Sequence, residues 1–193
     1  IGLGIPAEPL FRSSYDNIAL ETGLEVVNLG VSGTGYKRGE ENSKAYYQRL
    51  SSVPSDCDAV VFFGSGNDNG QTVGTITDTT TDTVCGCVNK TINDLIALYP
   101  TMKIGVITAY PWRSFKPSTT NAMQTIANDI VEICRGNSIP VLDLYHCSNL
   151  RPWIPENESA LFANADGVHI NDAGHAIVTP MILEFLKTLL PSY

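Results

Sequence analysis

The stretch DGVHINDAGH at residues 166–175 holds two Asp and two His just ahead of an apolar, helix-like pattern. An Asp three residues before a His lets the carboxylate accept a hydrogen bond from one imidazole nitrogen while the other nitrogen faces a substrate. Asp166 and His169 fit that acid–base reading. The plainer alternative is an Asp that caps a turn beside a His satisfied by packing. Asp172 fits an N-cap for the final helix, and His175 falls in that helix's first turn, where packing or exposure is the default. His146 follows the last apolar run and is also placed to enter a cleft. His169 and His175, six apart across a helix start, are not a recognised metal-ligand pair, so no metal is expected.

Two other segments can bring backbone amides close to a ligand: the Gly-rich turns NLGVSGTG (28–35) and FGSGNDNG (63–70). Each is weak alone, because Gly-rich turns after strands are common scaffolding. What matters is what positions them. Short β-branched runs at 24–29, 59–63, 103–108 and 139–144 are too apolar on both faces for half-solvated strands, and helical spacing lies between them. Phe11, Tyr15, Ile18, Ala19 and Thr22 mark one helix, and Val84, Val88, Ile92, Leu95 and Ile96 a second. Met123, Ile126, Ala127, Ile130, Val131 and Cys134 mark a third, with Gly136 as its stop signal, and a last helix runs from about Asn171 to Leu190 through Pro180. The polar TITDTTTDT stretch (75–83) reads as a lead-in to the second helix. This alternation predicts an α/β fold, a three-layer α/β/α sandwich on a parallel, flavodoxin-like sheet, in one domain spanning 1–193. All three chemical segments then fall at the carboxyl ends of strands, where parallel sheets bind ligands. The long 145–171 loop carries Trp153 and Phe162, two candidates for the cleft wall, as are Ser32 and Ser65 in the turns.

Composition narrows the partners. Twelve Lys and Arg against 20 Asp and Glu give a net charge of −8 without any basic stripe, which argues against nucleic acid. No apolar run approaches the roughly 20 residues of a membrane helix, so membrane insertion is not expected. Five cysteines, an odd number, define no disulfide framework. Cys85 and Cys87 lack a second cluster that would complete a metal site. The acceptor patterns at Asn89 and Asn157 leave the compartment open, extracellular or cytoplasmic, and oligomeric state is open too.

Taken together and in this order, Gly33, Asn67, Asp166 and His169 resemble the SGNH hydrolases, also called the GDSL esterase and lipase family, across essentially the whole chain. The resemblance implies an ester hydrolase whose oxyanion hole uses Gly33, in VVNLGVSGTG, and Asn67, in VVFFGSGND. Asp166 and His169, in DGVH, supply the acid and base. It implies a small acyl ester as substrate, for instance an acetylated carbohydrate, and no cofactor. Two departures show. Ser65 stands where the family has Gly in its third block. The family's nucleophilic serine, followed by an aliphatic residue and by a Gly three positions after that, has no counterpart in the chain. Ile1 and Gly4 stand at that spacing, so the serine is expected immediately before Ile1, on a first strand lying between 24–29 and 59–63. A chain truncated relative to the natural protein is the preferred explanation. Ser13 and Ser14 lie a turn or more into the first helix, and Ser32 and Ser65, near the cleft, lack the strand-to-helix turn that aims a nucleophile. The alternative function is a non-catalytic module binding carbohydrate or another ligand in the same cleft. A nucleotide binder is disfavoured, because GVSGTG has neither the full dinucleotide spacing nor a P-loop Lys.

Overall fold

The protein is described here by a computed structural model covering residues 14–39 and 44–190. Phe11 and Ser13 lie outside the described residues, as do the side chains of Ser14 and Tyr15. The described chain forms a parallel three-stranded sheet, β1 (Ala59–Phe63), β2 (Lys103–Ile107) and β3 (Val141–Leu142), in the order β1-β2-β3. Ala59 pairs with Lys103 and Phe63 with Ile107, and Val106 and Ile107 pair with Val141 and Leu142.

Alternation along β1 divides the core. Val60 and Phe62 face α2 (Val84–Leu98) and α3 (Ala122–Gly136), meeting Val88, Ile92, Ile126 and Ile130. Val61 and Phe63 face the opposite layer, meeting Ile18 of α1 (Ser14–Thr22) and Val178, Ile182 and Leu186 of α6 (Asp172–Leu189). The result is the three-layer α/β/α arrangement expected from the alternating runs. Gly105 in β2 lets α6 approach closely, since a Cβ there would meet the Leu189 side chain at 2.5 Å. The polar lead-in ends on Thr83, whose hydroxyl accepts the Gly86 N–H and caps α2. Ile96, expected on the buried face of α2, is 38% exposed because it points away from the sheet. Gly136 is the last residue of α3, and Asn137 serves as its C-cap.

Three expectations are corrected. The strand expected at 24–29 does not form, because no described residue supplies a ladder to it and β1 is the edge of the described sheet. The apolar pattern still acts: Leu24 and Val26 pack on the α6 side and Leu29 on the α2 side. Between this segment and β1 lie two cavities. One, of about 40 Å³, is lined by Leu29, Val60 and Phe62, and the other, of about 240 Å³, by Leu24, Val27 and Ala59. The strand expected at 139–144 is cut to two residues, because Asp143 turns the chain by capping α4 (Leu144–Cys147). The cap of α6 is Asn171 rather than Asp172; its side chain accepts the Gly174 N–H at 3.1 Å, which leaves Asp172 in the first turn. The long 145–171 connection is also more ordered than its sequence suggests. It contains α5 (Pro155–Leu161), which starts on a Pro whose missing N–H costs a helix start nothing.

Candidate active site

The site is built at the carboxyl end of β1. The ladder continues one step past the strand, with the Gly64 N–H donating to the Ile107 carbonyl at 3.0 Å. The chain then makes a 3₁₀ turn over Gly66–Asp68. The Trp112 indole lies against Gly66 so closely that any Cβ there would collide with it. Ser65, the departure from the family pattern, has φ −135°, a backbone conformation open to any residue, so Ser causes no strain there.

One buried carboxylate ties this turn to the preceding Gly-rich turn. Asp68 accepts the backbone N–H groups of Tyr36 at 2.8 Å, Lys37 at 3.0 Å and Arg38 at 2.6 Å, and the Ser65 hydroxyl also donates to it. Burial pushes the Asp68 pKa up, against the lowering effect of those four donors. Four donors converging on one carboxylate fix both loops in register. Asn67 is thereby held at the cavity, where one hydrogen of its amide goes to the Thr34 carbonyl at 3.0 Å. An amide carries two N–H donors, so the other remains for a ligand.

The Asp166–His169 pair arrives from the opposite side. An antiparallel bridge between Phe162 and Ile170 closes a short loop, and the Ala163 N–H donates to the His169 carbonyl at 2.7 Å. Arg113 braces the loop, its backbone N–H donating to the Gly167 carbonyl at 2.9 Å and its guanidinium pairing with Glu158. Within the loop, Asp166 Oδ1 accepts the N–H groups of Val168 at 2.7 Å and His169 at 2.8 Å, while Oδ2 lies 2.7 Å from His169 Nδ1. Partial burial opposes ionisation of Asp166, but the two backbone donors and the imidazole together hold its pKa below the usual carboxylate value. An ionised Asp166 can accept a hydrogen bond from Nδ1–H of His169, which leaves Nε2 outside that pair. The imidazole is 60% exposed and open to substrate.

Asn67, Ser65, Val168 and His169 line one cavity of about 100 Å³, whose walls include Thr34, Tyr110 and Trp112. Burial raises the Tyr110 hydroxyl to about 12, with the Ile170 backbone opposing and the Asp166 charge reinforcing, so it stays protonated. Other expected residues fall elsewhere. Ser32 and Gly33 are exposed, and Gly33, with φ 75°, adjoins the cavity through Thr34 without lining it. Ser65 is 4% exposed, and its hydroxyl is committed to Asp68. Phe162, expected in the cleft wall, is 2% exposed and packs in the core, with its ring edge-on to Tyr110 at 6.4 Å between centroids. Trp153 lines a different cavity, described below. His175 is buried, and burial lowers its pKa against the opposing charge of Asp172. Cys85, Cys87 and Cys134 are buried thiols.

Sequence reasoning missed the Asp68 clamp, which showed only as the letter after Asn67, and the aromatic pair Tyr110 and Trp112. The AYPW run directly after the third apolar run was the available signal for that pair.

The family model for the GDSL-like lipase/acylhydrolase family matches residues 5–177, and the chain belongs to that family. Solved structures share the fold. A protein from Lactobacillus plantarum superposes with a TM-score of 0.81 at 24% identity, covering 97% of this chain and 94% of that one. A carbohydrate esterase family 3 protein from Talaromyces cellulolyticus gives 0.55 at 17% identity, covering 89% and 75%. An acetyl xylan esterase gives 0.63 at 20% identity, covering 87% and 86%. No functionally curated protein matches the chain by sequence.

Proposed function

We propose that the protein is a serine ester hydrolase that removes a small acyl group, such as acetyl, from a carbohydrate. The observation that carries this reading is the meeting of His169, already paired with Asp166, and the Asn67 amide at one cavity. His169 Nε2 takes the proton of a serine hydroxyl as that oxygen attacks the ester carbonyl, and later returns it to the leaving alcohol. Asp166 fixes the Nδ1–H tautomer and stabilises the imidazolium. The free Asn67 N–H stabilises the oxyanion of the tetrahedral intermediate, and the family resemblance assigns a second donor to the backbone N–H of Gly33, which adjoins the cavity through Thr34.

The serine comes, in this proposal, on a strand that fills the slot between 24–29 and β1. Two features support the slot. The 24–29 segment distributes its apolar residues to both core layers as a sheet neighbour does. The upper slot cavity also shares Tyr46 and Phe63 with the His169 cavity, so a strand lying parallel to β1 would deliver its last residue beside His169. A cavity of about 100 Å³ suits an acetyl group better than a long acyl chain, since sites for larger ligands run to roughly 300–1,000 Å³. The similarity to an acetyl xylan esterase and a carbohydrate esterase supports a carbohydrate as the alcohol.

The test is acetate release from 4-nitrophenyl acetate and acetylated xylan by protein carrying the proposed serine-bearing strand, set against its His169→Ala variant. We expect turnover of acetate esters, poor turnover of octanoate, and loss of about 10⁴-fold in the variant. Equal rates for the two proteins would overturn the assignment and leave the non-catalytic binding module as the better reading.

A further inference from the structure

A second cavity, of about 250 Å³, opens on the other side of the connection that follows β2. Ala109, Tyr110 and Trp112 of that connection line the His169 cavity, whereas Lys116 and Ser118 line this one; the two cavities share no lining residue. Its polar walls also include Tyr145, His146, Ser148, Asn149 and Arg151, and the indole of Trp153 adds an aromatic surface. On a chain of net charge −8, a cavity with a lysine, an arginine, a histidine and, among the described residues, no lining carboxylate is an anomaly. Neither Lys116 nor Arg151 forms an ion pair among the described residues.

The groups are also held in place. His146 Nδ1 lies 2.7 Å from Asp143 Oδ2, and its backbone N–H reaches Asp143 Oδ1 at 3.3 Å. Asp143 is in turn fixed by the Thr108 hydroxyl at 3.1 Å. His146 therefore offers Nε2 alone to a ligand. The Arg151 guanidinium rests against Asn149 Oδ1 at 3.1 Å, and Lys116 Nζ stands 5.6 Å from the centre of the Trp153 ring.

We propose that this cavity binds a single sugar unit bearing a carboxylate, a uronic acid. Arg151 takes the carboxylate through its planar fork, with Lys116 as a point charge beside it and His146 Nε2–H as a further donor when the imidazole is protonated. Asn149 and Ser118 meet ring hydroxyls, and the indole of Trp153 covers a C–H face of the pyranose. The volume admits one ring and its substituents. As a subsite, the cavity selects acidic glycan chains for the esterase. That consequence rests on the proposed function, but the binding itself does not.

The test uses binding without turnover. Methyl β-D-glucuronide is titrated into the protein while the imidazole signals are followed by NMR; with three histidines in the chain, assignment needs only the single variants. We expect the His146 signals to shift and those of His175 to stay still. We also expect affinity to fall about tenfold in Arg151→Ala and in Lys116→Gln, each of which removes one charged contact from the exposed rim. The parallel arms are methyl β-D-glucoside and inorganic phosphate. Binding of the glucoside as tight as that of the glucuronide, binding of phosphate as tight, or an unmoved His146 would each overturn the proposal. A silent titration leaves the esterase reading standing, and an inactive esterase leaves the titration valid.

Discussion

Two tetrapeptides, Asp143-Leu144-Tyr145-His146 and Asp166-Gly167-Val168-His169, adopt the same local hydrogen bonding. In each, one carboxylate oxygen accepts the histidine's own backbone N–H and the other lies 2.7 Å from Nδ1. What separates them is the company each imidazole keeps. His169 faces an amide donor in a cavity edged by the turns that follow β1 and the 24–29 segment. His146 faces two cations and an indole. A paired imidazole is a base wherever it stands, but it accelerates acyl transfer only where donors wait for the oxyanion and a nucleophile can reach it. The second surrounding stabilises a negative charge that is already present on a ligand. On the two proposals, like pairs serve catalysis in one place and recognition in the other.

The comparison is broken most sharply by exchanging which pair is disabled. In protein carrying the proposed serine-bearing strand, His169→Ala should cost about 10⁴-fold in kcat for acetate esters, while His146→Ala should leave kcat for 4-nitrophenyl acetate unchanged. Steady-state kinetics on this small ester, which has no sugar carboxylate, isolates chemistry from recognition. A comparable fall in both variants would show that the two surroundings are not distinct in function. A smaller effect sharpens the same contrast. Asn67→Ala should lower kcat about 10²–10³-fold with little change in KM, because the amide acts on charge that develops only in the transition state. An effect confined to KM would make Asn67 a ground-state binder.

Why one pair was legible in the sequence and the other was not is itself physical. All three histidines of the chain follow an Asp by three residues, the third being Asp172 and His175. Spacing alone therefore cannot separate a working pair from a structural one. Asp166 and His169 stood out through their order relative to Gly33 and Asn67, and the layered fold stood out through apolar runs that need no partner to be recognised. Strand 24–29 was misread because a strand depends on a neighbour, whereas the apolar pattern of 24–29 depends only on the layers above and below it. Asp68 was invisible because its donors come from backbone groups some 30 residues earlier, which no side-chain pattern records. Phe162 looked like cleft lining because an aromatic in a long connection has no assigned face until the bridge to Ile170 turns it inward.

The third Asp-x-x-His supplies the mildest test, through pH. Asp172 and His175 lie inside the first turn of α6, and the His175 N–H donates to the Asn171 carbonyl at 2.8 Å as part of the helix. The side chain goes into the protein and is only 7% exposed, and burial disfavours its charged form more than Asp172 favours it. The folded-state pKa is therefore below the unfolded value of about 6.5. An unfolded chain then binds more protons than the folded one as the pH falls through that value, and stability declines with it until the folded-state pKa is passed. His175→Gln, which stays neutral at every pH, should flatten the acid side of a urea-denaturation profile measured between pH 7.5 and 5, although it lowers stability throughout. If the slope in His175→Gln matched that of the unaltered protein, burial of this imidazole would not be what sets the acid side of the profile.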